Sequence, residues 1–381
     1  MTKRALPIYL DCNATSPMEP AVQKLVTRFT IEEYGNAGSR THEYGNRAKQ
    51  AVQQARDQVA SALRVERDEV IFTSGATESD NLALLGLAPH GEQHDRRHII
   101  TGAIEHKAVL EPIETLQQRG FGVTILPPTS GGYTDPDDLR RALRPDTLVV
   151  SLMHVNNETG VEQPLTEYTA VLKDHDAFFH VDAAQGFGKK NDPLRNARID
   201  LVSISGHKIY GPKGIGALIT RRRNNERPPL TPLAFGGGQE WGLRPGTLPV
   251  PLIVGLGLAA ELATKNATAR ARACREFRER ALRALSPLCI ELNGDQERVL
   301  QHTLNLAVPG LDAEAFMLAT KYVISISNGS ACTSQSYQPS HVLKAMGLSD
   351  ERIQSSLRFS WCHLTPDVDW DAVVKAVERV R

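Results

Sequence analysis

Charge of one sign is what this sequence lacks most plainly. Lys plus Arg and Asp plus Glu number 44 each in 381 residues, so no global field draws the chain toward nucleic acid or an anionic membrane. Direct nucleic-acid binding is therefore not expected. Long hydrophobic runs are missing too: no stretch reaches the roughly 18 apolar residues of a membrane-spanning helix. Met1-Thr2-Lys3-Arg4 is basic, but Pro7 and Asp11 arrive before the apolar segment of a signal peptide could form. Cysteine is sparse. Cys12, Cys274, Cys289, Cys332 and Cys362 are odd in number and include no C-x-x-C pair. That argues against a disulfide framework and against a structural zinc site. No metal is expected; the adjacent Cys362-His363 are poorly placed to chelate one and read as structural. Free thiols suit a reducing cytoplasm, the expected location.

What is present is a globular balance of 41% hydrophobic and 23% charged residues, in a chain long enough for two domains. Val70-Phe72, His98-Thr101, Val123-Leu126, Leu148-His154, Phe178-Val181, Leu201-Ser205 and Gly216-Thr220 read as buried strands. Helical spacing falls between several of them, over Glu78-Leu87, Lys107-Arg119, Pro136-Leu143 and Thr166-His175. This alternation predicts an α/β fold with a mainly parallel sheet covered on both faces. Pro249 to about Leu285 reads as one long linking helix. Beyond it, short strands (Leu288-Leu292, Thr303-Val308, Val323-Ser325) mix with helices (Ala313-Thr320, Pro339-Met346, Pro366-Val380). A smaller α+β domain over about 260–381 is expected. Arg221-Arg222-Arg223 follows a strand and reads as a solvated loop, with an acidic partner as the alternative.

In open α/β sheets, ligands bind beyond the carboxyl ends of the strands, and chemistry-bearing residues cluster there. Lys208, in Ser205-Gly206-His207-Lys208, follows a strand end, where a lysine can form a Schiff base with a carbonyl cofactor; alone it equally suits a surface lysine. Asp182, in His180-Val181-Asp182, closes the preceding strand. A buried aspartate is costly without a partner. A protonated pyridine nitrogen would supply one, and Gln185 could donate to the same ring's oxygen; a helix cap is the alternative. Thr73-Ser74-Gly75-Ala76-Thr77-Glu78-Ser79 joins a strand to a helix and suits a phosphate at the helix N-terminus, or is simply a cap. His106, in Glu105-His106-Lys107, could stack on a ring and move protons near neutral pH, or be structural.

These segments occur in order with His154-Val155-Asn156-Asn157-Glu158 and Ser327-Asn328-Gly329-Ser330-Ala331-Cys332-Thr333-Ser334. The ordered set resembles the cysteine desulfurases, pyridoxal-phosphate (PLP) enzymes of the class-V aminotransferase family and fold type I. The resemblance runs from Tyr9 to about Phe359, and the form around Cys332 is similar to the NifS/IscS-like group. It implies a large domain over 16–259 with a seven-stranded sheet and a small domain over 260–381 carrying the cysteine loop. An N-terminal segment, 1–15, would pack on the small domain. By resemblance, Lys208 carries the cofactor and removes the Cα proton of L-cysteine. Asp182 pairs with the pyridinium nitrogen, Gln185 with the ring oxygen, and His106 stacks and shuttles protons. Ala76, Thr77, Ser205 and His207 hold the phosphate, joined by Thr247 from the other subunit of a homodimer. Asn157, also a cofactor contact, and Arg358 hold the substrate carboxylate, a task that suits the guanidinium fork. Cys332, in a polar, Gly-containing loop, takes the sulfur as a persulfide, alanine leaves, and an acceptor protein receives the sulfur.

The sequence departs from the family's usual pattern at Pro245, at Asn328 and at Asn36-Ala37-Gly38-Ser39, all places that shape loops. It also stops at Arg381, where many relatives continue into a tail that docks an iron–sulfur scaffold protein. The acceptor is therefore expected to be either such a scaffold or a dedicated thiolation pathway such as DNA phosphorothioation. Competing readings are a selenocysteine lyase or aminotransferase, which need Lys208 and Asp182 but no sulfur-accepting Cys332, and a catalytically silent relative that keeps only the fold.

Overall fold

The computed structural model describes residues 6–328 and 339–380. Among the described residues twelve strands are formed: β1 (Ile8–Tyr9), β2 (Val70–Thr73), β3 (His98–Gly102), β4 (Gly122–Leu126), β5 (Thr147–Ser151), β6 (Phe178–Asp182), β7 (Leu201–Ser205), β8 (Gly216–Thr220), β9 (Glu291–Leu292), β10 (Thr303–Ala307), β11 (Ile324–Ser325) and β12 (Ser356–Ser360). Seven of them make one sheet in the order β2-β8-β7-β6-β5-β3-β4. Within it β8 pairs antiparallel with both neighbours, and the pairings from β7 through β4 are parallel. β2, β3, β5, β7 and β8 are buried at every residue. Both faces must therefore be covered, and this is why these strands read as continuous apolar runs instead of alternating ones. One face packs on the cluster holding Val52, Phe72, Phe179 and Ile253, the other on that of Leu84, Ile99, Leu148 and Leu218.

A second body is built on the antiparallel sheet β12-β10-β9. Its core joins Phe277, Phe316, Phe359 and Trp361. The amino-terminal segment joins this body: β1 pairs parallel with β11, and Leu10 lies in the same core.

Four sequence expectations change. The long helix splits into Val250–Lys265 and Ala267–Leu285 at Asn266, whose ψ of 10° leaves the helical region. An asparagine side chain competes for backbone hydrogen bonds and tolerates such a break. The break lets the first helix serve the large core and the second carry Phe277 into the small one. Strand β5 stops at Ser151, short of His154. Strand β12 escaped the sequence reading because Arg358 interrupts its apolar pattern. Finally, Arg221-Arg222-Arg223 is largely bound within the fold. Arg221 is buried and donates to the carbonyls of Leu194, Asn196 and Ile199. Arg223 pairs with the buried Asp200 at 2.6 Å, and Arg222 with Asp68. The run ties the exit of β8 to neighbouring turns.

Candidate active site

Segments leaving β2, β3, β5, β6 and β7 converge on a cavity of about 470 Å³, closed from the small body by Arg358 of β12. Part of its wall is the start of helix Ala76–Gln93. Gly75 is the N-cap, and no side chain caps the helix. The first-turn N–H groups of Ala76 and Thr77 thus present the positive end of the helix to the cavity. The turn lies hard against the sheet: a Cβ on Gly216 of β8 would stand 2.7 Å from the Gly75 Cα. Ser205 closes β7 beside it, with a Cβ built on Gly75 3.8 Å from its Oγ.

Lys208 sits in the tight turn Gly206–Lys208 after β7. A Cβ on Gly206 would meet the Pro212 carbonyl oxygen at 2.9 Å, so glycine permits the close return of the chain. The Lys208 Nζ donates to the backbone carbonyls of Asn13 and of Ala14, the latter at 2.9 Å. His207 faces Thr15 with Nδ1 at 3.1 Å from Oγ1. Burial, with Lys208 nearby, lowers its pKa to about 4, so the ring is neutral at pH 7.

The opposite end is acidic and buried. Asp182, at the end of β6, accepts the Ala184 N–H at 2.9 Å. Burial, and next the charge of Asp80, raise its pKa to about 6. Asp80 is fully buried, and neither of its oxygens has a hydrogen-bond donor among the described residues. Its nearest cationic candidate is His180 Nε2 at 3.4 Å. That ring is held between Ser151 Oγ (2.8 Å) and Ser203 Oγ (3.0 Å). Glu105 adds a third carboxyl. It accepts the Met153 N–H at 2.9 Å, and burial pushes its pKa well above the carboxylate range.

His106 caps helix Lys107–Gln118. Its Nδ1 accepts the Ala108 N–H at 3.1 Å, so in the neutral ring the proton sits on Nε2. Gln185 donates to the Asn13 carbonyl at 2.9 Å. Arg358 is buried, paired with Asp11 at 2.7 Å, and donates to the Asn157 carbonyl at 3.1 Å. Its Nε has no partner among the described residues.

The structure thus gathers Ala76, Thr77, His106, Asn157, Asp182, Gln185, Ser205, His207, Lys208 and Arg358 around one cavity. Thr247 is elsewhere. It is exposed and lines a separate cavity with Asn36, Arg56 and Trp241. Cys332 lies outside the described residues. Sequence reading missed Asn13 and Ala14, whose carbonyls dock Lys208, and Asp80. Asp80 shares a helix stripe with the buried Leu84 and Leu87; a carboxylate on that apolar stripe was the available signal.

The cavity fits an elongated ligand with an anion at one end and a basic ring nitrogen at the other. The uncapped helix start suits the anion, the orphaned carboxylate end suits a cation, and Lys208 stands near enough to line the same space. Among the described residues no group of three metal-ligating side chains occurs.

Comparison with known proteins agrees with this chemistry. The family model for class-V aminotransferases matches residues 8–373. The cysteine desulfurase IscS of Rickettsia bellii is 44% identical over 98% of this chain and 90% of its own. The crystal structure of DndA from Streptomyces lividans is 52% identical with a TM-score of 0.81, covering 91% of this chain and 97% of its own. The structure of SspA in complex with cysteine is 37% identical with a TM-score of 0.82, covering 93% and 98%.

Proposed function

The chain belongs to the class-V aminotransferase family, among its cysteine desulfurases, and from that membership we propose that it converts L-cysteine to L-alanine and takes the sulfur on Cys332 as a persulfide. The observation that carries the reading is the charge layout of one cavity: an uncapped helix start, Lys208, and the buried pair Asp182 and Asp80. Pyridoxal 5'-phosphate fits it. Ala76, Thr77, Ser205 and His207 would hold its phosphate, Asp182 its ring nitrogen, Gln185 its ring oxygen, and Lys208 its aldehyde carbon. When bound, the cofactor supplies an electron sink for the substrate's Cα.

The chain's own residues do the rest. Lys208 leaves the carbonyls of Asn13 and Ala14 and accepts the Cα proton of cysteine. Asp182 would keep a proton on the ring nitrogen: burial, and next the charge of Asp80, raise its pKa, and a cation beside it offsets both. Arg358 and Asn157 orient the substrate carboxylate, with Arg358 turning from Asp11. The Cys332 thiolate attacks the substrate sulfur; the S–S bond forms as the Cβ–S bond breaks. His106 delivers a proton as alanine forms. A protein nucleophile, on an iron–sulfur scaffold or in a thiolation pathway such as DNA phosphorothioation, would then collect the sulfur.

A homodimer is part of the proposal. Its support is the position of Thr247, outside its own chain's cavity and beside Trp241, which is 49% exposed. No described helix is long and apolar enough to cross a membrane.

Two measurements test the reading. Borohydride treatment of the yellow protein should fix the cofactor on Lys208. Incubation with L-cysteine should yield alanine and a persulfide on Cys332 by mass spectrometry. A label on another lysine, or full alanine formation by Cys332→Ser, refutes it.

A further inference from the structure

Residues 11–16 form a wall between two cavities. On one side, the carbonyls of Asn13 and Ala14 hold Lys208. On the other lies a cavity of about 390 Å³ whose lining includes Tyr9, Cys12, Lys213, Cys362 and Thr365. Lys213 lines both. The wall is anchored to β12: Asp11 forms a parallel bridge with Ser360, and the Cys12 N–H donates to the Ser360 carbonyl at 3.0 Å.

This register brings Cys12 against Cys362. The two thiols share one small buried cluster with Tyr210. Both side chains line the same cavity, and a disulfide needs Cα atoms about 4–7 Å apart. The pair is asymmetric. Cys362 Sγ receives the Thr365 hydroxyl at 3.7 Å. The neighbouring Cys12 thiol first, then donors at Leu364 and Thr365, lower its pKa against the effect of burial. The same contact, with burial, pushes the Cys12 thiol far up. The Thr365 hydroxyl on Cys362 Sγ favours the thiolate there, which makes Cys362 the attacking thiol and Cys12 the resolving one.

We propose that Cys12 and Cys362 are a second sulfur site, a dithiol that hydrogen peroxide oxidises to an intramolecular disulfide. The Cys362 thiolate attacks one peroxide oxygen, the O–O bond breaks, and hydroxide leaves. The Cys12 sulfur then attacks the resulting sulfenic sulfur. Its proton and the departing hydroxyl make water, and the S–S bond forms. Overall two thiols and one peroxide give one disulfide and two waters. Peroxide is small enough for the cavity, and the site is separate from Cys332 in both chain and mechanism. The bond would pin the segment that docks Lys208 to the stretch just after β12, the strand that carries Arg358.

The test uses the full-length, cofactor-loaded protein. After peroxide, free thiols are blocked, the protein is digested without reductant, and peptides are mapped by mass spectrometry. The expected product is a Cys12–Cys362 peptide pair, lighter by two hydrogen atoms than the separate peptides, that comes apart on adding thiol. In Cys12→Ser, Cys362 has no resolving partner and should proceed to sulfinic acid. Joining of Cys362 to Cys274 instead, or a wild-type Cys362 that stays reduced while the exposed Cys289 is oxidised, overturns the proposal.

Discussion

Two buried groups of charges in this molecule have opposite characters. Near the start of β2, Glu240 is engaged at both oxygens. Oε1 accepts Arg56 Nη2 at 2.6 Å; Oε2 accepts Arg56 Nη1 at 2.9 Å and the Phe72 N–H at 2.7 Å. The guanidinium lies between the rings of Phe72 and Trp241, 4.5 and 4.7 Å from their centroids. This cluster even holds Glu240 and Trp241 at positive φ, 48° and 56°, a conformation that costs energy in a non-glycine residue. At the cavity, Asp182 accepts one backbone N–H and Asp80 none, and the buried Glu105 nearby accepts one. A buried carboxylate without donors is expensive. The cluster in which Glu240 is satisfied at both oxygens holds the fold, with Arg56 Nε alone lacking a hydrogen-bond partner among the described residues; the carboxylates with few donors are destabilising until a cation arrives. That contrast separates structure from function here more sharply than burial does, since both groups are buried.

The largest expected effect comes from exchanging the two. Asp182→Asn should cut alanine formation by about a thousandfold or more, ~4 kcal/mol of barrier. The cofactor-free protein should melt no lower than wild type, because one of two like charges is gone. A drop in melting temperature would show that Asp182 belongs with the structural group. Glu240→Ala should do the reverse. It strands Arg56 in the interior and should cost ~3–5 kcal/mol in urea unfolding, while borohydride still labels Lys208 in the folded fraction.

The two groups also differ in how they respond to pH. Asp182 has its pKa raised from 3.8 to about 6 in the fold. Between those values the folded protein keeps a proton that the unfolded chain has released, so stability falls as pH rises from about 4 to about 6. The loss attributable to this group should be ~2–3 kcal/mol. It is read as the difference between wild-type and Asp182→Asn unfolding curves, both free of cofactor; loading with PLP should flatten the wild-type slope. The smallest effect belongs to the half-exposed Arg222–Asp68 pair, side chains 36% and 37% exposed. Arg222→Ala should change stability by less than about 1 kcal/mol.

Much of the fold was legible. Strands buried on both faces make unbroken apolar runs, so β2 through β8 could be placed within a few residues. Where a strand carries a buried charge, as β12 carries Arg358, the apolar signal fails and the strand was missed. The same blindness hid the Arg221 carbonyl cage, because local sequence does not reveal that three carbonyls from 194–199 wait beside β8. Lys208, Asp182 and His106 stood out because each follows a strand end. Asn13 did not: its partners Lys208 and Gln185 lie 195 and 172 residues away.

Chain order alone sets which chemical groups follow which strand, and hence that a lysine, an aspartate, a histidine and a hydroxyl-rich turn meet at one sheet edge. Parallel pairing and short strand-to-helix turns leave those groups nowhere else to go. Tertiary structure alone decided which charges find partners. It completed Glu240 with an arginine from 184 residues away and left Asp80 without a donor beside Asp182. It set Thr247 outside the cavity and pressed Cys12 against Cys362. A partner is a matter of distance in space, and local periodicity carries no record of contacts closed by the packing of two bodies and a returning amino-terminal strand.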